Sequence, residues 1–222
     1  MKMKTFRQEL FIIFTWCLSQ MAFAQTNPAL ALIKEAQKKT LEYKDQSFFF
    51  SLILDAPGRN GNRVERKNKG SVILVGDIGR LILNEQSIYL ESNKLITVSD
   101  EDEEITVRLI DTNDNNFSPV NILDKYTSGS DFKFLKKKQF GETKIVQFIE
   151  LIPKNQEDIL KVILGIELNS KKVHSYHEYG KNDVITKVEL SDYKVNQGKD
   201  VDQVKFDRNK YPDYDYIAPN DM

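Results

Sequence analysis

Ser47-Phe48-Phe49-Phe50-Ser51-Leu52-Ile53-Leu54 places six large apolar side chains in eight positions, although the chain as a whole is only 40% hydrophobic. Successive side chains of an extended strand leave opposite faces. Phe48, Phe50, Leu52 and Leu54 therefore share one face, and Ser47, Phe49, Ser51 and Ile53 the other. The even face is uniformly apolar and the odd face is mixed, the pattern of a strand with one dry side and one wet side.

The same period of two recurs through most of the chain. It predicts about eleven strands, at 47–54, 70–75, 80–84, 87–91, 95–99, 104–110, 131–136, 144–152, 160–168, 173–179 and 184–193. Short polar connections between them favour an antiparallel meander. A sheet of that many strands curls or closes as twist accumulates. Val72 with Leu74, Ile88 with Leu90, Ile105 with Val107 and Leu109, and Val162 with Leu164, Ile166 and Leu168 extend the pattern of the opening stretch. The inner face of the curl is thus expected to be apolar from end to end. Periodicity alone leaves open whether that face is a filled core or a hollow for an apolar ligand.

Two segments read as helices. Asn27-Pro28 offers a side-chain acceptor at an N-cap and a proline at the first helical position, and Ala29, Leu32, Ile33, Ala36 and Tyr43 then follow on one face as far as about Lys44. Ser118-Pro119 repeats the start signal, with Ile122, Leu123 and Tyr126 on an apolar stripe, Lys125 on the polar side, and Gly129 as the stop. Two helices cannot cover a sheet of eleven strands on both faces.

Residues 1–24 read as a cleavable export signal and 25–222 as one domain. Lys2, Lys4 and Arg7 form a basic start, residues 10–18 an apolar run, and Ala22-Phe23-Ala24 a small-x-small cleavage site. The apolar run is well short of the roughly twenty residues that span a bilayer. Thr15 and Trp16 before Cys17 argue against a lipid-modified signal. Cleavage removes Lys2, Lys4, Arg7 and Glu9, leaving 29 basic and 32 acidic residues, a net charge of −3 in place of −1. Nucleic-acid binding would need a basic stripe instead. Cys17 and Trp16 are the sole cysteine and tryptophan, so no disulfide staples the remainder.

Catalytic signatures are missing. His174 and His177, the two histidines, stand three apart on an expected strand and so should point to opposite faces, which suits neither a metal pair nor a base with its orienting partner. There is no Gly-rich phosphate loop and no Gly-x-Ser-x-Gly elbow. The expectation is a protein that is not an enzyme, with no cofactor and no metal. The acidic run 100–104 reads as a solvated hairpin turn, Lys136 to Lys138 as charge that blunts an edge, and the Tyr-rich tail 211–222 as a segment that either packs along the sheet or stays free.

The segments "ALIKEAQKKTLEYKDQSFFFSLIL", "KGSVILVGDIGRLIL", "SPVNILDKYTSG", "VQFIELIPK", "VILGIEL" and "DQVKFDRNKYPD", in that order, resemble the LolA family of periplasmic outer-membrane lipoprotein carriers. The most specific parts are Ser118-Pro119 with Ile122, Leu123 and Tyr126, the Ile149-Glu150-Leu151-x-Pro153 strand end, and Phe206-Asp207 with Lys210-Tyr211-Pro212. The resemblance implies a mainly β fold with an α lid: an incomplete, strongly curved antiparallel β-barrel covered by helices. It also implies a hydrophobic cavity for the acyl chains of lipoproteins, with an inner-membrane lipoprotein-releasing transporter and an outer-membrane acceptor as further partners of a periplasmic monomer. On that basis Phe48, Phe50, Leu52, Leu54, Val72, Leu74, Ile88 and Leu90 are the expected lipid-binding wall, and Ile33, Ile122, Leu123 and Tyr126 the expected lid. Another lipid or glycolipid as cargo, or an envelope lipid sensor, would use the same fold. Where many members carry an Arg-Pro pair after the second strand, this chain reads Val75-Gly76-Asp77-Ile78, and nearby Arg80 is not its equivalent. The family's lid latch is therefore not carried over.

Overall fold

A computed structural model describes residues 27–219 except 92, 111–118, 126, 128 and 155. The expected export signal, Ser118 and Tyr126 lie outside the described residues. The chain runs α1 (Pro28–Leu41), β1 (Asp45–Pro57), β2 (Arg63–Val75), β3 (Ile78–Leu83), β4 (Gln86–Glu91), β5 (Lys94–Ser99) and β6 (Glu104–Leu109). It continues with α2 (Pro119–Lys125), β7 (Ser130–Phe140), β8 (Lys144–Pro153), β9 (Ile159–Glu167), β10 (Val173–Gly180), β11 (Ile185–Val195) and β12 (Asp215–Ile217). Asn27 caps α1 as expected, its side chain accepting the Ala29 N–H at 2.9 Å, and the helix stops at Leu41, three residues short of the expected end.

All twelve strands join one curved, unclosed sheet in the order β12-β6-β5-β4-β3-β2-β1-β11-β10-β9-β8-β7. The eleven expected strands are all present. The twelfth comes from the tail and pairs parallel with β6, whereas the other neighbours are antiparallel. Because β1 pairs with β11 at mid-sheet, β6 and β7 stand on opposite flanks, and the chain must cross from one to the other. α2 lies on that crossing.

Two apolar clusters form, one on each face. The larger lies on the concave face, where Ala29, Ile33 and Ala36 of α1 and Leu123 of α2 meet Phe48, Leu74 and Ile149 from the sheet. The smaller consists of Tyr89, Ile96, Val98, Ile105 and Val107, covered by Phe206, Tyr211, Tyr214 and Ala218. This corrects the expected inner face. Val98 opposes Ile105 and Ile96 opposes Val107, and both pairs share the side of Tyr89, not that of Ile88 and Leu90. Ile105, Val107 and the 47% exposed Leu109 therefore face outward. On the concave side β6 presents Thr106 and Arg108, so the inner face is not apolar from end to end.

Candidate functional site: the concave face

The register of β1 against β2 builds the wall. Phe48 stands opposite Val72, Phe50 opposite Gly70, Leu52 opposite Asn68 and Leu54 opposite Arg66. Directly opposed residues in an antiparallel pair share a face, so these eight form one strip. Phe48 is 5% exposed and Leu54 36%, with Phe50 and Leu52 half-buried between them. Gly70 is required there. A Cβ on it would lie 2.3 Å from the Ile82 carbonyl oxygen and 2.5 Å from the Phe50 ring. The missing side chain lets the Phe50 ring lie across β2.

Further along the same face, Val72, Leu74, Ile88 and Leu90 line a shallow dimple together with Gly79, Arg80 and Leu81, and it has no room for a water molecule. Gly79 lets Leu74 pack closely across it, since a Cβ there would come within 2.5 Å of Leu74 Cδ2. An acyl chain therefore has no preformed cavity at this point, and room for it would have to come from movement of the helices. The helices themselves pack onto the inner part of this surface. Ile33 is fully buried, Leu123 1% exposed and Ile122 half-buried.

Polar contacts tie the helices down at several points. Asn27 Nδ2 donates to the Phe132 carbonyl at 3.0 Å, and Lys171 pairs with Glu35 at 3.1 Å. Gln37 Nε2 donates to Asp124 Oδ1 at 2.5 Å, joining α1 to α2. Lys125 is exposed, as expected of the polar side, and its Nζ stands 3.9 Å from Glu178, which also accepts from the Tyr176 hydroxyl. These ties are exposed or half-exposed, and exposed ion pairs each contribute only ~0–1 kcal/mol. The apolar contact of α1 and α2 therefore holds the lid, and the polar ties set its position. Tyr193 packs against this face. Its ring lies 5.0 Å from Phe48 and its hydroxyl donates to Gln46 Oε1, and burial raises its pKa.

The convex face carries what sequence reading did not find. After β11, residues 197–199 wrap the Asp45 carboxylate, which accepts N–H groups from Gln197, Gly198 and Lys199 at 2.9, 2.9 and 3.2 Å. The chain then crosses outside the sheet. Phe206 packs edge-on to Tyr89 at 5.5 Å and stacks on Tyr211 at 5.9 Å. The Tyr89 and Tyr211 hydroxyls share a hydrogen bond, and the Tyr89 phenol is pushed up to about 12, first by burial and then by that bond. Tyr214 donates to Asp100, and the Asp215 N–H donates to the Glu103 carbonyl, so the tail pins the acidic turn. Arg80 belongs to this face, 5.3 Å above the Tyr89 ring and donating to Ser87 Oγ. It is no part of the lid.

The two histidines depart from expectation. A bulge between Val173 and Ser175 inserts one residue into β10 opposite β9, which resets the alternation. Val173 packs in the concave cluster, while His174 lies 4.7 Å from Phe140 and carries electrostatic contact with His177 and Glu189. His177 Nε2 stands 4.0 Å from Glu189 Oε1. Both rings thus sit in one neighbourhood, and burial lowers both pKa values. Among the described residues no group of three or more His, Cys, Asp or Glu could hold a metal ion.

No protein-family model matches the chain, and no curated protein does. Solved structures do. An uncharacterised conserved protein from Thermus thermophilus is 7% identical, with 84% of this chain and 97% of that one covered and a TM-score of 0.52. The complex of Pseudomonas aeruginosa MucA/MucB is 10% identical, with 82% of this chain and 62% of that one covered and a TM-score of 0.50. Solved structures that match also include a LolA-superfamily protein. It comes from Nitrosomonas europaea and is 12% identical, with 82% of this chain and 98% of that one covered and a TM-score of 0.41. At these identities the likeness is one of fold.

Proposed function

We propose that the protein is an envelope carrier that shelters the acyl chains of lipoproteins on its concave face and moves them between the inner and outer membranes. The observation that carries this reading is the covering of the apolar wall. Two separate helices close it, where a second sheet would have made it permanent core. A displaced lid exposes Phe48, Val72, Leu74, Ile88 and Leu90 to cargo, while Phe50, Leu52 and Leu54 already reach partway to solvent.

The energetics favour such a carrier. Exposed hydrocarbon costs about 0.8 kcal/mol per CH₂, so one chain of roughly fifteen methylenes represents about 12 kcal/mol. A free lipoprotein cannot cross an aqueous gap at a useful rate against that barrier. An apolar wall offsets most of it without specific hydrogen bonds. The lid's own apolar stripe competes for the same surface, which keeps net binding weak enough for transfer to an acceptor. Ile33 and Leu123 are the cargo's competitors in the empty state.

The likeness in fold to the MucA/MucB complex supports a second reading, in which the same domain binds a protein partner. Native mass spectrometry of the protein purified from its own envelope separates the two. The carrier reading expects a fraction bearing an acylated protein as its extra mass. A single unacylated protein partner throughout would favour the second reading.

A further inference from the structure

The apolar wall ends in a cation. From floor to rim the opposed pairs are Phe48 with Val72, Phe50 with Gly70, Leu52 with Asn68 and Leu54 with Arg66. The β1 side stays apolar throughout while the β2 side changes from hydrocarbon through amide to guanidinium. At about 3.4 Å per residue, the six steps from Phe48 to Leu54 span roughly 20 Å. The hydrocarbon core of a bilayer, about 30 Å thick, holds two chains end to end at about 15 Å each. One acyl chain laid along this strip from its floor therefore ends beside Leu52 and Asn68, about 5 Å short of Arg66 at the same rise per residue, a gap that an extended arginine side chain can bridge.

Arg66 differs from the cations beside it. Arg63 pairs with Asp55 and Lys67 with Glu65, each at 2.7 Å, on the convex side of the hairpin. Arg66 is on the concave side and makes no ion pair or side-chain hydrogen bond among the described residues. β3 pairs with β2 only from Gly70 onward, so Arg66 has no strand on its other flank and stands exposed beside open space. Charges on an unpaired edge resist aggregation, but Lys67 and Lys69 on the convex side supply that without any cation on the apolar face.

We infer that Arg66 is a headgroup contact at the rim of the apolar wall, and that besides acylated proteins the wall takes anionic amphiphiles whose chain lies along Phe48, Phe50, Leu52 and Leu54 and whose phosphate or carboxylate meets the guanidinium. Arg offers a planar fork of donors that matches an oxyanion in two-point contact. The inference rests on the acyl-chain reading above.

The test uses the full protein loaded with the neutral fluorophore N-phenyl-1-naphthylamine, displaced by tetradecyl phosphate, tetradecanol or inorganic phosphate. Wild type should favour tetradecyl phosphate over tetradecanol by about tenfold, and inorganic phosphate should displace nothing. Arg66→Gln should bring the ratio within twofold, whereas Lys67→Gln should keep it near ten. Thermal unfolding checks that both variants fold. A preference that survives Arg66→Gln, or that falls equally in Lys67→Gln, overturns the assignment, as does displacement by inorganic phosphate. If both amphiphiles bind equally to wild type, the headgroup contact falls and the acyl-chain reading stands. If neither binds, the acyl-chain reading falls with it.

Discussion

Asp45→Ala is expected to lower the unfolding free energy by about 3 kcal/mol, the upper range for hydrogen bonds to a charged group, read as a fall in the urea midpoint at unchanged slope. The Asp45 side chain is 3% exposed and its carboxylate is the acceptor for three consecutive backbone N–H groups. Its removal leaves those donors without partners inside a turn that already holds Asn196 and Gly198 at φ of 54° and 71°. The turn also begins the tail that covers Tyr89, Ile96 and Val98, so its release should expose the convex cluster as well. Asp45→Asn keeps the shape but turns an amide toward donors, and should lose more than half as much. An unfolding free energy within about 0.5 kcal/mol of wild type for Asp45→Ala, on the scale of an ordinary surface substitution, would mean that the turn is held by something else.

Phe50→Glu should leave the fold intact by circular dichroism yet weaken acyl-chain binding by about a hundredfold, equivalent to some 2.7 kcal/mol. In the empty protein Phe50 is half-buried at the outer part of the wall, where water can reach a carboxylate. A bound chain would strip that water and leave the charge against hydrocarbon, which is far more costly. Phe49→Glu is the control, because Phe49 is 54% exposed on the convex face and should not meet cargo. Binding of a fluorescent fatty acid to the two variants reads the difference. Equal binding, or unfolding of Phe50→Glu alone, would assign Phe50 to ordinary core.

The strands were legible because alternation survives in a single sequence. Phe48, Phe50, Val72, Leu74, Ile88 and Leu90 were placed on one face by parity within their own strands, and that face is the concave one. The face of β6 was not legible. β4 and β5 carry apolar residues on both sides, Ile88 beside Tyr89 and Leu95 beside Ile96, so their pattern fits either phase. Register fixes the phase, and a shift of one residue exchanges the faces. His174 illustrates the same limit, since one inserted residue cancels the parity that set it opposite His177.

Two other features left no periodic trace. The first half of β2, Arg63 to Lys69, is a strand because β1 offers it a template, although its residues are nearly all charged or polar. The tail is held by scattered aromatic contacts and a three-residue parallel pairing, neither of which repeats along the sequence. The lid was legible in part. Ile33 and Leu123 follow from helical spacing, but the Lys125 to Glu178 contact joins residues far apart in the chain and needed the fold to be seen.

The central claim is that the face carrying Phe50 is where acyl chains bind. A photo-crosslinking residue placed at Phe50 or Leu52, and separately at Phe49 or Ser51, tests it during transfer of a radiolabelled acylated lipoprotein, because adjacent positions differ only in the face they occupy. The account predicts label captured at Phe50 and Leu52 and none at Phe49 or Ser51. Equal capture at all four positions, or capture at Phe49 and Ser51 alone, would contradict it.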